Sequence, residues 1–410
     1  MSGARMRTAL ALAVAAAALA GCSGAGAGGD TVSGDVLRIY SSQPLRGTLA
    51  AQARAIVRGE RLALADARGR AGKWRVQLRA LNDADPVSGI WEPGLVSASA
   101  RRAAQDDKTI AYLGETDTGA SAVSIPILNE TGLLALSPTD SVTGFTREAG
   151  ANPGEPDKYY PTRDENFARL VPPDDVQSAA LLGLMGDERV EKVFVLHDQR
   201  LYGQGIARAV GRGARRQGVA VVKVEGTELD DETDLPALAA EVAASGADGF
   251  LYAGEPGPQV AGLYDAVAAA VPRARLLGTY TQANDAFARA LAPRLTVLAT
   301  APWLSLGSYP PAARRLAARY ERRYGEPMPT VALYGYEAMA VVLDAIRRAR
   351  GDGNDRATLI DEVRDTRNRA SVLGTYSFDR NGDVGTKVYG AWRVRAGRVA
   401  FVRVLDPLGA

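Results

Sequence analysis

The sequence predicts an α/β protein built as two doubly wound parallel-sheet lobes. Three observations carry that reading. The chain has 410 residues, too many for one ordinary core and comfortable for two. Short apolar runs alternate with stretches of helical periodicity, which is how a parallel sheet covered by helices reads. The alternation runs once to about residue 138, is interrupted by a Gly/Pro-rich charged loop at Arg147–Glu165, and starts again.

Each element follows from its local pattern. "DVLRIYSS" (Asp35–Ser42) reads as a strand, Leu49–Ala67 as an Ala-rich helix, and Lys73–Leu81 as a half-buried strand with Trp74, Val76 and Leu78 on one face. "SASARRAAQDD" from Ser97 reads as a helix, Thr109–Gly114 as a buried strand, Ser121–Glu130 as a helix and Gly132–Pro138 as a strand. After the loop come a helix at Val176–Gly186, a strand at Lys192–Asp198 and a helix at Gly205–Gly218 with Ile206, Val210 and Ala214 on its inner face. Strands at Val219–Gly226, Gly249–Gly254 and Arg275–Tyr280 alternate with helices at Leu235–Gly246 and Gln259–Ala270. The last third offers a strand at Leu295–Trp303, helices at Pro311–Tyr324 and Val331–Arg348, and β-type segments from Gly374 to Leu405 punctuated by Asn381-Gly382 and Ala396-Gly397. That is too little for a third domain, so it is expected to pack back onto the two lobes.

The N-terminus reads as a targeting segment. Arg5 and Arg7 precede "TALALAVAAAALA" (Thr8–Ala20), an apolar run too short to span a bilayer. "LAGC" (Leu19–Cys22) resembles the bacterial lipoprotein lipobox, in which the cysteine receives lipid; a plain secretory signal is the alternative. Residues 1–21 are thus expected to be a lipoprotein signal peptide and 22–34 a flexible Gly/Ala/Ser tether. Without Arg5 and Arg7 the chain holds 47 basic and 47 acidic residues, a neutral balance that gives no support for nucleic-acid binding.

Catalytic and metal chemistry find little to stand on. His197 is the sole histidine and Cys22 the sole cysteine, so no His/Cys metal set exists. No Gly-rich phosphate loop follows the first strand, and "GAS" at Gly119–Ser121 lacks the nucleophile-elbow frame. "DRNGD" (Asp379–Asp383) reads as a hairpin turn rather than a calcium loop. No enzyme and no cofactor is expected.

Taken together, "QPLRG" (Gln43–Gly47), "YLGETDTGASAVSIPILNETGLLALSP" (Tyr112–Pro138), "VFVLHDQRLYGQGIARAV" (Val193–Val210) and "SFDRNGD" (Ser377–Asp383) resemble the Leu/Ile/Val-type periplasmic binding proteins. These are the substrate-binding components of branched-chain amino-acid ABC transporters. The similarity runs from Asp35 to Val404, and is nearest to lipid-anchored forms with loops like "PGEPDKYYPT" (Pro153–Thr162). The resemblance implies three hinge strands, crossing near Leu170–Asp174, Ala301–Leu304 and Gly385–Lys387. Lobe one would be 35–170 plus 303–385, and lobe two 171–302 plus 386–405.

It also implies a ligand site, carried over position by position. Thr118 matches the hydroxyl that helps hold the ligand's α-carboxylate, Thr139 and Ser141 the two contacts after "SP", and Tyr202 the tyrosine of the "YGEG" turn. Glu255 stands where the family has an aromatic, and Tyr280 where it has the ammonium-binding glutamate. Either Glu255 takes over the ammonium, or the ligand lacks one in that place. Ser41 and Ser42 lie where the first strand's loop reaches the cleft. Thr118 and Ser141 could instead serve as helix caps, Tyr202 as lobe packing and Glu255 as a first-turn acid; Asp117, Asp140 and Glu115 read as solvated or capping. A helix opening at Thr118–Ser121 with free N–H groups suits a carboxylate. The function implied is a lipid-anchored, extracytoplasmic receptor that takes an amino acid to an ABC permease, as a monomer held to the membrane through Cys22. Binding of an amide, urea or small carboxylate, or sensing for a receptor, are the alternatives.

Overall fold

The computed structural model describes residues 31–407, apart from Ser88. The signal segment, Cys22 and most of the tether lie outside the described residues. Of that tether, Thr31 and Val32 are docked rather than free: Thr31 bridges to Asp355, and Val32 is buried. Val32 is the apolar residue in that stretch, which is why the chain is held down there.

The first sheet is laid down by β1 (Val36–Gln43), α1 (Ala50–Asp66), β2 (Arg70–Ala71), β3 (Trp74–Asn82), α2 (Pro93–Gln105), β4 (Thr109–Leu113), α3 (Ser121–Asn129), β5 (Leu134–Ser137) and β6 (Phe167–Arg169). Its strand order is β2-β3-β1-β4-β5-β6, parallel except at the β2–β3 edge. Helix α2 starts before Ser97 because Pro93 fits the first helical position and the Glu92 carboxylate accepts from Leu95 N–H at 2.8 Å. Pro126 lies inside α3, so the Ala122 carbonyl has no α-helical donor.

The chain then enters the second lobe with α4 (Asp174–Asp187), β7 (Lys192–His197), α5 (Leu201–Gly213), β8 (Ala220–Gly226), α6 (Leu235–Ala244), β9 (Gly249–Ala253), α7 (Pro258–Ala270), β10 (Arg275–Gly278), α8 (Asp285–Ala290) and β11 (Thr296–Ala301). It returns to the first lobe with α9 (Pro311–Tyr324), α10 (Ala332–Arg348), α11 (Arg356–Arg364) and the hairpin β12 (Arg369–Ser371)–β13 (Gly374–Tyr376). Strands β14 (Tyr389–Arg395) and β15 (Arg398–Leu405) close the second sheet, whose order is β15-β14-β11-β10-β9-β7-β8. The chain therefore passes between the lobes three times: after β6, after β11 and before β14.

Two glycines let α10 press against α1. A Cβ on Gly59 would meet the Ala332 carbonyl oxygen at 2.2 Å, and one on Gly335 would meet that of Ile56 at 2.2 Å. The helices thus approach backbone to backbone, which ties the last third of the chain to the first sheet. Among the described residues, no helix is long and apolar enough to cross a membrane.

Candidate functional site

Parallel strands of both sheets end toward one cleft, where an open α/β sheet places its ligand loops. On lobe one the wall is the turn between β4 and α3. Gly119 has φ +107, a conformation that favours glycine. Its N–H donates to the Asp140 carboxylate at 3.2 Å, and Ser121 N–H donates to the same carboxylate at 3.2 Å. Asp140 is fully buried, its own N–H is held by Ser137 Oγ at 2.7 Å, and burial raises its pKa to about 6. This corrects the expectation of a free helix start: the anion there is supplied by the chain itself.

Thr118 N–H points the other way and donates to the Tyr280 hydroxyl of lobe two at 3.3 Å. The hydroxyls of Thr118 and Ser141 lie 3.4 Å apart, and Thr139 Oγ1 donates to the Thr116 carbonyl at 2.7 Å. Ser41 and Ser42 turn inward. Ser41 donates to buried Glu60 and Ser42 to buried Asp83, each at 2.9 Å. Burial lifts Glu60 to about 8 and raises Asp83; Glu115 is raised by burial and then by the Asp83 charge. The hydroxyls of the first strand's loop are therefore spent on lobe one's own acids.

On lobe two, Glu255 follows β9, and its N–H is fixed by Asp198 Oδ2 at 2.7 Å. Tyr202 gives its hydroxyl to Gln177 Oε1 at 3.0 Å, so its ring is what it turns toward Tyr280, with centroids 5.3 Å apart. Tyr280 in turn meets Trp303 edge-on at 5.8 Å.

Thr118, Ser141, Tyr202, Glu255 and Tyr280 thus sit around one junction of the lobes, whereas the hydroxyls of Ser41, Ser42 and Thr139 are engaged within lobe one. Sequence reasoning set aside Asp117, which is 1 % exposed and whose two carboxylate oxygens have no hydrogen-bond partner. Burial raises its pKa well above the ordinary value, and the charge of Glu255 across the junction adds to it. Glu255, 7 % exposed, is likewise without a partner for either oxygen. Burial and the Asp198 charge raise it to about 7, while Arg200 and the nearby Trp91 indole pull it down. Among the described residues no group of three or more His, Cys, Asp and Glu side chains is placed to hold a metal ion.

Two α/β lobes linked by three passes, with polar side chains of both meeting at the junction, define a bilobal solute receptor. The family profile described as "Periplasmic binding protein" matches residues 38–398, and the chain belongs to that family. An amino acid binding protein of Pseudomonas aeruginosa is 28% identical over 205 residues, which are 46% of this chain and 50% of that protein. Leu/Ile/Val-binding protein homolog 2 of Brucella abortus is 24% identical over 377 residues, 90% of this chain and 93% of that protein. The leucine binding protein LivK of Thermotoga maritima superposes with a TM-score of 0.76 at 22% identity, covering 90% of this chain and 99% of that one. A solute binding protein of R. palustris in complex with benzoate superposes with a TM-score of 0.73 at 17% identity, covering 91% and 97%. These relatives are binding proteins for amino acids or other solutes, and this chain is a solute-binding protein of the same family, not an enzyme.

Proposed function

We propose that the protein is a lipid-anchored receptor outside the cytoplasm, which captures a small amine-bearing polar solute between its lobes and delivers it to an ABC permease. An amino acid or close analogue is the solute class read from the sequence. The observation that carries the proposal is the junction itself: unpartnered buried polar groups from both lobes, Asp117 and Glu255, beside the Thr118–Tyr280 hydrogen bond that spans them. A solute that contacts both walls at once favours the closed arrangement over the open one, and the permease would read that difference. The lipobox-like "LAGC" supports anchoring, with Cys22 as the lipid acceptor.

A thermal-shift panel of amino acids, amides, amines and carboxylates tests the capture step, because a solute that binds only the folded form raises its melting midpoint. At least one group is expected to do so; a panel with no response would remove the reading. Cys22→Ala is expected to move the protein from the membrane to the soluble fraction. A variant that still sediments with membranes would refute the anchor.

A further inference from the structure

The junction is acidic where a receptor for neutral amino acids needs an anion site. The N–H groups of Gly119 and Ser121 are already taken by Asp140, and Thr118 N–H by the Tyr280 hydroxyl. A solute carboxylate would have to displace these bonds, and it would meet the Asp140 charge. Meanwhile Asp117 from lobe one and Glu255 from lobe two are both more than nine-tenths buried with all four oxygens unpartnered. The Tyr280 hydroxyl accepts from the N–H of Thr118, the residue after Asp117, and both acids act electrostatically on it. Buried unpaired carboxylates are costly, and a cation placed between them offsets that cost through charge-assisted hydrogen bonds.

We propose that the cleft selects a small organic cation, an amine or guanidine, gripped between Asp117 and Glu255. The rings of Tyr202, Tyr280 and Trp303, packed in sequence, offer aromatic faces and edges beside the two acids, and aromatic faces attract cations. Arg200, half-buried at the start of α5, lowers both carboxyls and is the opposing charge. Asp83 and Asp140 add to the negative field at Asp117, and Asp198 and Asp140 to that at Glu255. This inference rests on the solute-capture reading and narrows its solute class.

The test uses the full-length protein in detergent and a series graded by charge: 1,4-diaminobutane and agmatine, then L-arginine, L-leucine and benzoate. The midpoint shift is expected to grow with the positive charge of the compound. Titration calorimetry on the best cation is expected to show binding weakened on the order of tenfold or more by Asp117→Asn, and similarly by Glu255→Gln, as when a hydrogen bond to a charged group is lost. Proton release on binding at neutral pH is expected to fall in both variants, a readout that a purely structural role would leave alone. A larger shift with leucine or benzoate would overturn the cation inference and leave capture standing. Unchanged cation affinity in both variants would overturn the assignment to these two acids. No shift with any compound would bring down the capture reading, and this inference with it.

Discussion

Two buried sets of charges, one near the third pass and one at the lobe junction, are built in opposite manners. Near the third pass, Arg169 and Asp383 are both fully buried and joined by Nε–Oδ1 at 2.7 Å. Arg169 also donates to the Val142 carbonyl at 2.6 Å and to the Thr146 hydroxyl, while Arg147 holds the other oxygen of Asp383 at 2.6 Å. Every polar atom in that knot has a partner, and the arginines hold Asp383 below its ordinary pKa. At the lobe junction, Asp117 and Glu255 have none, and their pKa values rise. The saturated knot fixes the "DRNGD" turn to the end of β6 and has nothing left over to bind. The unsaturated pair contributes little to the resting fold and is open to an outside partner.

The contrast can be broken most sharply at Arg169. Arg169→Met leaves Asp383 buried with only Thr146 and Arg147 of its three side-chain partners, and is expected to destabilise the protein by about 3–5 kcal/mol, read in denaturant melts. A loss no larger than that of Asp117→Asn would show that the two regions are not different in kind.

The pH profile sharpens it next. Glu255 has an ordinary pKa of 4.5 and about 7 when folded, so the folded state binds the proton more tightly. Its contribution is intact below the unfolded value and is lost as pH rises through the folded one. Glu255 by itself is expected to lower stability without solute from about pH 4.5 to about pH 7, by at most about 1.4 kcal/mol per unit, in addition to the slopes from Asp140 and Glu60. Asp383 runs the other way: its contribution is present above its ordinary 3.8 and lost as pH falls through its lower folded value. Melts across pH with Glu255→Gln should flatten the first slope; an unaltered slope would remove Glu255 as its source. The smallest effect is expected from Asp117→Asn without solute, with the midpoint unchanged or slightly raised, because an unpaired buried acid is removed.

The sheets were legible because their strands are apolar runs of ordinary length. Strand β6 was missed since "FAR" has three residues, and its Arg169 looks like a surface residue until the knot is seen. Helix α11, "RATLIDEVR", is charged enough to hide its inward Leu359 and Val363. At the site, the residue types around the junction were readable from motif order, but the direction of each hydroxyl was not. Tyr202 belongs by its ring, because Gln177, far from any motif, claims its hydroxyl. Asp140 and Asp117 are two acids in similar polar turns. Only the fold reveals that one caps α3 and the other is left without a bond.

The backbone-close seating of α10 on α1 also bears on when the protein reaches its final form. Lobe one lacks α10 and α11 until the chain has been delivered past Arg364, and lobe two lacks two of its seven strands until β15 has emerged. Neither half is finished before nearly the whole polypeptide is available. Neither lobe can therefore be completed well ahead of the other, and both halves close together at the chain's end.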